Sequence, residues 1–276
     1  MSGIEAGRRE AWRARYGEHA ADLELAWNGV VAGLLAHRSV RAYRPDPLPP
    51  GTLETLVAAA QSAPSSSNLQ TWSVVAVEDP QAKRRLSEVA RGQRHVVEAP
   101  LVLVWLADLS RLASLGRAED RPTEGLDYLE TLIVGIVDAA LAAQNATVAL
   151  ESLGLGSVYI GALRNDPEAV ADILGLPPNV LAVFGHCVGH PDPEQPAAVK
   201  PRLAQGVVLH RGRYDPALAR AAIAEYDAAL RGFQAEQRMP GVGWIQAALE
   251  RVRGPGSLSG RDRLHAALAR RGFGLK

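Results

Sequence analysis

The sequence holds a single cysteine, Cys187, among its 276 residues. No intrachain disulfide can form, and such usage fits a reducing compartment, so a cytoplasmic location is expected. An excess of charge of either sign is also missing, since 30 Lys and Arg balance 30 Asp and Glu. That balance removes the electrostatic case for nucleic acid or an anionic membrane surface as a partner. The first residues, with Arg8, Arg9, Glu10, Arg13 and Arg15, contain no apolar run before residue 20, so no secretory signal is expected. There is no Gly-x-Ser-x-Gly elbow, and Gly154-Leu155-Gly156 lacks the third glycine of a dinucleotide fingerprint. These absences argue against a serine-hydrolase nucleophile and against a Rossmann cofactor domain. Neither an internal repeat nor a low-complexity linker interrupts the chain.

With 47% hydrophobic and 22% charged residues, the chain can bury a sizeable core in one or two domains. Helices are expected over 23–36, from Leu53 to just before Pro64, over 80–90 behind Asp79-Pro80, over 125–153, from Asp166-Pro167 to Gly175, and over 216–234. Strands are expected over 73–77, 100–107, 156–161, 181–188 and 206–210. Residues 110–125 read as an irregular loop and 1–22 as a poorly packed arm. Without a regular βαβ alternation, the class is α+β. The stretch 131–150 is apolar enough to invite a membrane reading, but it contains Asp138, Gln144 and Asn145 and is bracketed by Glu130 and Glu151. Such groups are costly in lipid, so a buried helix and no membrane is the expectation. The helix over 125–153 is apolar nearly all round and needs cover, for which a second subunit is a natural source.

Two basic clusters carry the chemistry. One is His37-Arg38-Ser39-Val40-Arg41 and the other is Lys200-Pro201-Arg202. Side chains alternate along an extended segment, so His37, Ser39 and Arg41 project together, as do Lys200 and Arg202. A forked guanidinium, a compact ammonium, an imidazole and a hydroxyl suit a phosphate monoester. His186 and His190 do not suit a metal, because on a strand they stand roughly 13 Å apart.

Three further blocks accompany the clusters: Pro64-Ser65-Ser66-Ser67-Asn68-Leu69-Gln70-Thr71-Trp72, Arg91-Gly92-Gln93-Arg94-His95, and the run from Gly154 through Tyr159-Ile160-Gly161-Ala162 to Asn165. In this order and spacing, from about Leu34 to Tyr214, they resemble the nitroreductase family of FMN enzymes, most closely its oxygen-insensitive NADPH nitroreductase and flavin reductase branch. The resemblance implies a mixed, mainly antiparallel sheet wrapped by helices, in a homodimer. It implies an arm at 1–22, an FMN-binding core at 23–214, and a helical excursion of the same domain over the partner at 215–276. By resemblance, His37, Arg38, Ser39 and Arg41 bind FMN on its phosphate and pyrimidine side, and Lys200 and Arg202 form a second phosphate clamp. Ser65, Ser66 and Asn68 match a loop reaching the FMN of the neighbouring subunit, and Gln93 matches a glutamine at the flavin edge. Tyr159, Ile160, Gly161 and Ala162 match the segment beside the flavin, where the Gly161 N–H faces N5. Ala162 departs from a glycine common in the branch, which implies a tighter pocket.

The implied activity is two-electron, ping-pong reduction of nitroaromatics, quinones or free flavin by NAD(P)H, with the chemistry at FMN N5 and no catalytic acid or base from the protein. NADPH is the expected donor, with Arg238 its 2′-phosphate contact, and a small aromatic molecule is the expected acceptor. Two alternatives are a family member with a dedicated substrate, such as a dehalogenase or enone reductase, and a non-catalytic FMN carrier or sensor.

Overall fold

The computed structural model describes residues 3–17, 25–215 and 220–276. Helix α1 (Gly3–Tyr16) occupies most of the segment expected to be a poorly packed arm. Its Trp12 and Arg15 are buried one turn apart, and the Trp12 and Tyr16 rings meet at 4.5 Å. Arginine among the buried residues is what hid this face from a periodicity argument. α2 (Gly29–Ala36) starts later than expected, where Asn28 accepts from the Val31 N–H at 2.9 Å as an N-cap. Residues 23 and 24 of that expected helix lie outside the described residues.

α3 (Thr52–Gln61) ends before Pro64, as expected. α4 (Pro80–Val89) is capped by Asp79, whose carboxylate accepts from Ala82 N at 2.7 Å, and α5 (Arg94–Glu98) follows. The expected loop at 110–125 begins instead with a helix, α6 (Ser110–Ala118). Asp108 starts it by accepting from Ser110 N at 3.1 Å and Ser110 Oγ at 2.7 Å. That start signal lies inside the preceding strand, where it was not legible. α7 (Leu129–Ser152) is the long apolar helix of 24 residues, about 36 Å at the usual rise. α8 (Pro167–Leu174) has the expected cap at Asp166 and closes on Gly175 at φ 66°.

The strand expected at 206–210 is a helical turn, α9 (Gln205–Val208). Val207-Val208 suggests a strand, yet the backbone closes locally, with Leu209 N donating to Gln205 O at 2.8 Å. α10 (Arg220–Glu236) covers the described part of the helix expected at 216–234, and residues 216–219 lie outside the described residues. α11 (Gly243–Arg251) and α12 (Leu264–Arg270) complete the chain.

The sheet contains β1 (Trp72–Val77), β2 (Leu101–Asp108), β3 (Gly156–Ile160) and β4 (Val180–Gly189), in the order β1-β2-β4-β3. Every neighbouring pair is antiparallel, which makes the fold α+β, an antiparallel sheet wrapped by helices. β2 is buried at every position. Its Leu101, Leu103 and Trp105 enter one core with Leu56 of α3 and Ala139 and Ala142 of α7, while Val102, Val104 and Leu106 enter another with Leu86 of α4 and Val170 of α8. A strand covered on both faces reads as a continuous apolar run, and 100–107 does so.

The chain divides into two units, residues 1–38 with 197–258, and residues 39–196 with 259–276. The first holds α1, α2 and α9–α11. The second holds the sheet, α3–α8 and α12. In the second unit the chain's end lies against the start of α7, where Leu129 N donates to Lys276 O at 3.1 Å and Lys276 Nζ meets Asp127 at 2.8 Å. By length and composition α7 is apolar enough to cross a membrane, with a mean hydropathy of 1.6. It packs on the sheet and α3 as a core helix, and buries Leu132, Gly135, Asp138, Ala142 and Ala146 along one side. Its other side exposes Leu129, Ile133, Val137 and Leu141 at spacings of four.

Candidate functional site

In the second unit, the segment after Arg38 runs along the edge of β3. Val40 N donates to Ser157 O at 2.8 Å, and Ser39 forms a parallel bridge with Ser157. Val40 is buried while Ser39 and Arg41 are exposed on either side of it, as alternation along an extended chain requires. The segment docks there because residue 156 is glycine, since a Cβ at Gly156 would stand 2.6 Å from Val40 Cγ2. This gives the two glycines of Gly154-Leu155-Gly156 separate roles. Gly154 takes φ 75° in the turn after α7, and Gly156 makes room for Val40. Tyr43 then fixes the bend by donating its hydroxyl to Val40 O at 2.7 Å. Burial, with the Cys187 thiol adding to it, raises the Tyr43 pKa far above the ordinary phenol, so Tyr43 stays a donor.

β3 carries this contact forward to Tyr159 and Ile160, and a 3-10 turn follows at Gly161–Asn165. The first basic cluster and the Tyr159–Ala162 block therefore meet on one strand. Ile160 is buried, and Gly161 and Ala162 are half-buried. The Tyr159 side chain is committed elsewhere, with its ring stacked on His186 at 4.5 Å and its hydroxyl 2.9 Å from Thr147 Oγ1 on α7. Beneath Gly161 lies Arg164, whose Nη2 would be 3.3 Å from an added Cβ. Gln93 stands at the start of α5, and its carbonyl accepts from Ser87 Oγ at 3.0 Å. Two residues on, burial first and the Arg41 charge second hold His95 below the ordinary histidine pKa.

Ser65, Ser66 and Asn68 sit on a different anchor, Asp138 of α7, which is 1% exposed. It accepts from Ser65 Oγ at 2.7 Å, Ser66 N at 3.3 Å, Thr71 N at 3.0 Å and Thr71 Oγ1 at 3.1 Å. The loop between contains Ser67, Asn68 and Gln70 at φ 50°, 53° and 51°, a region that side-chain-bearing residues enter only when the surroundings hold them there. Asp138 supplies that hold. From the sequence it served only as an argument against a membrane span, although a lone carboxylate in an apolar helix signals a buried hydrogen-bond hub just as directly.

In the first unit, His37, Arg38, Lys200 and Arg202 come together around a residue with no assigned role in the sequence reading, Arg15. Its side chain is hydrogen-bonded to the carbonyls of Leu35 at 2.9 Å, Lys200 at 2.8 Å, and His37. Its own carbonyl accepts from Arg202 N at 2.8 Å. The exposed guanidinium of Arg38 lies 3.4 Å from Ala36 O, and that of Arg202 lies 3.3 Å from the carbonyls of Lys200 and Pro201. These are long contacts that leave most donors available. Arg238 lies elsewhere in this unit, exposed, in a left-handed turn with φ 52° at the end of α10. Arg231 is already paired with Asp227 at 3.0 Å and bonded to Gly241 O.

Each unit thus presents exposed cations that, among the described residues, have no carboxylate partner: Arg38 and Arg202 in the first and Arg41 in the second. Guanidinium donors of this kind suit a phosphate ester. The architecture is an α+β scaffold, an antiparallel sheet wrapped by helices. Residues 34–190 match the sequence model of the nitroreductase family, and residues 200–276 match that of its C-terminal domain. The chain belongs to the nitroreductase family. It is 40% identical over 187 residues to the NADPH-flavin oxidoreductase of Vibrio harveyi, covering 68% of this chain and 75% of that protein. It is likewise 40% identical over 196 residues to the oxygen-insensitive NADPH nitroreductase of Salmonella typhimurium, covering 70% and 78%. The solved structure of NfrA2 from B. megaterium superimposes with a TM-score of 0.85 at 34% identity, covering 91% of this chain and all of that one.

Proposed function

We propose that this protein is an FMN-dependent NAD(P)H oxidoreductase acting on nitroaromatics, quinones or free flavin. The observation that carries the reading is the seating of Ser39-Val40-Arg41 on β3 directly ahead of Tyr159–Ala162. Two motif blocks far apart in sequence become one surface, with a cation and a hydroxyl at one end and a glycine main chain at the other. The chemistry that bound FMN supplies is two-electron transfer from NAD(P)H to a second substrate. The chain's own residues bind and orient. In the second unit Ser39 and Arg41 hold the phosphate and ribityl side, and in the first His37, Arg38, Lys200 and Arg202 form a cation cluster suited to phosphate. Gln93 takes the ring edge, and Gly161 lets the main chain approach the ring without a Cβ in the way. No side chain is assigned as an acid or base. Anaerobic mixing of the FMN-loaded protein with NADPH tests the reading. Rapid bleaching of the flavin absorbance is expected, and persistent yellow colour would make the protein a carrier.

The partner is a second copy of this chain, in the cytoplasm. The row Leu129, Ile133, Val137 and Leu141 on α7 gives an apolar face for it, the loop with Ser65, Ser66 and Asn68 reaches the flavin of that copy, and α10 and α11 pack over it. Interfaces that resemble a core cut in half bury on the order of 2,000–5,000 Å². Ile133→Asp with Val137→Asp should therefore give a monomer by sedimentation that no longer retains FMN. An FMN-loaded monomer at nanomolar concentration would refute the dimer.

A further inference from the structure

Helix α1 lies outside both stretches that match the family, 34–190 and 200–276, yet it holds the residue around which the first unit's cations are arranged. We propose that Arg15 is a positioning residue that assembles the first unit's cation cluster for the FMN phosphate. The proposal rests on reading His37, Arg38, Lys200 and Arg202 as ligands of the FMN phosphate.

The last carbonyls of any α-helix lack partners within it and form the negative end of its dipole. Two helices end at this place. α2 stops at Ala36, and the carbonyls of Leu35 and His37 are taken by the forked guanidinium of Arg15. α1 stops at Tyr16, and the carbonyl of Arg15 itself is taken by Arg202 N at 2.8 Å. The remaining arm of the fork reaches Lys200 O at 2.8 Å. One side chain, 4% exposed, thereby fixes the main chain on both sides of the proposed phosphate position. Lysine at position 15 would keep the charge and lose the planar fork that spans three carbonyls. Trp12, buried one turn before, seats the helix that delivers the fork.

The test compares FMN with riboflavin, which keeps the ring and lacks the phosphate. FMN-free full-length wild type, Arg15→Ala, Arg15→Lys and Arg202→Ala are titrated with each ligand by quenching of flavin fluorescence. In Arg15→Ala and Arg15→Lys, FMN should bind on the order of tenfold or more weakly, with riboflavin binding unchanged. If Arg15→Ala does not fold, Arg15→Lys gives the same readout. Equal losses for both ligands would reduce Arg15 to a structural residue and overturn the proposal, as would unchanged FMN binding in both variants. Arg202→Ala guards the underlying reading. If it leaves the preference for FMN over riboflavin intact, the phosphate assignment falls and the role of Arg15 falls with it. If Arg202→Ala loses the preference and the Arg15 variants keep it, the assignment stands and only the proposal fails.

Discussion

The loop at 65–71 and the cation cluster at 37–38 and 200–202 are organised around hubs of opposite polarity. In the first, a buried carboxylate, Asp138, gathers N–H and O–H donors. In the second, a buried guanidinium, Arg15, gathers carbonyls. The difference follows from what each segment leaves unsatisfied. The loop with left-handed φ at Ser67, Asn68 and Gln70 pairs Asn68 N with Ser65 O and Leu69 N with Ser66 O, but its Ser66 and Thr71 amides turn to an outside acceptor. Helix ends leave carbonyls, so they need a donor. In both places the hub is remote in sequence from the residues it positions, and those residues, rather than the hub, are the ones that meet ligand in the proposed site.

The sharpest way to break the comparison is to remove the anionic hub. Asp138→Ala leaves the Thr71 N–H and hydroxyl buried without their acceptor and frees Ser65. Hydrogen bonds to a charged group are each worth roughly 1.5–3 kcal/mol, so the FMN-free protein should lose about 3 kcal/mol or more, measured by urea denaturation. Thr71→Val should lose about half as much, because it removes one of the two Thr71 bonds. A loss well below about 1 kcal/mol for Asp138→Ala would mean that the loop holds its own conformation and that the two hubs are not equivalent devices.

The next largest effects sharpen the comparison by testing the cations directly. Arg202→Ala in one unit and Arg41→Ala in the other should each weaken FMN binding by about 10- to 150-fold, the range of one charge-assisted hydrogen bond. Arg41→Lys should also weaken it, because an ammonium loses the fork. Equilibrium titration of FMN-free protein measures all three. Full retention of FMN in both alanine variants would put the phosphate elsewhere.

The elements that pack on the sheet were legible because their signals are local. Asp79-Pro80 and Asp166-Pro167 open helices as expected, and the continuous run 100–107 is a central strand. Failures occur where a distant or unusual partner decides the outcome. α6 is started by Asp108 from inside β2, and α9 takes a valine pair that no neighbouring strand pairs with among the described residues. The motif residues themselves were legible, since Ser39, Arg41 and Gly161 occur in recognisable blocks. Their hubs were not. Arg15 reads as one of several N-terminal arginines and Asp138 as a blemish in an apolar helix, and only burial separates them from the rest. Gly156 lies between these cases. Its presence was visible, but its purpose required knowing that Val40 packs against it.

The smallest expected effect concerns a cation with no hub among the described residues. Arg238 is exposed, its N–H bonds only to Ala235 O at 3.1 Å, and its turn sits at φ 52°. Arg231, the other candidate for the 2′-phosphate of NADPH, is held by Asp227 and Gly241 O and would have to break those bonds to serve. Arg238 therefore remains the better contact, but among the described residues nothing fixes its side chain before ligand arrives. An exposed, unanchored charge is also screened by salt over about 8–10 Å at ordinary ionic strength. NADPH should be preferred over NADH by a modest factor, on the order of tenfold at low salt, and the margin should shrink as salt rises. Arg238→Ala should bring kcat/KM for the two donors close together without changing FMN affinity. Equal use of NADPH and NADH by the wild type would show that this turn does not read the 2′-phosphate. A preference that survives both salt and Arg238→Ala would point instead to a contact as firmly anchored as those around Arg15 and Asp138.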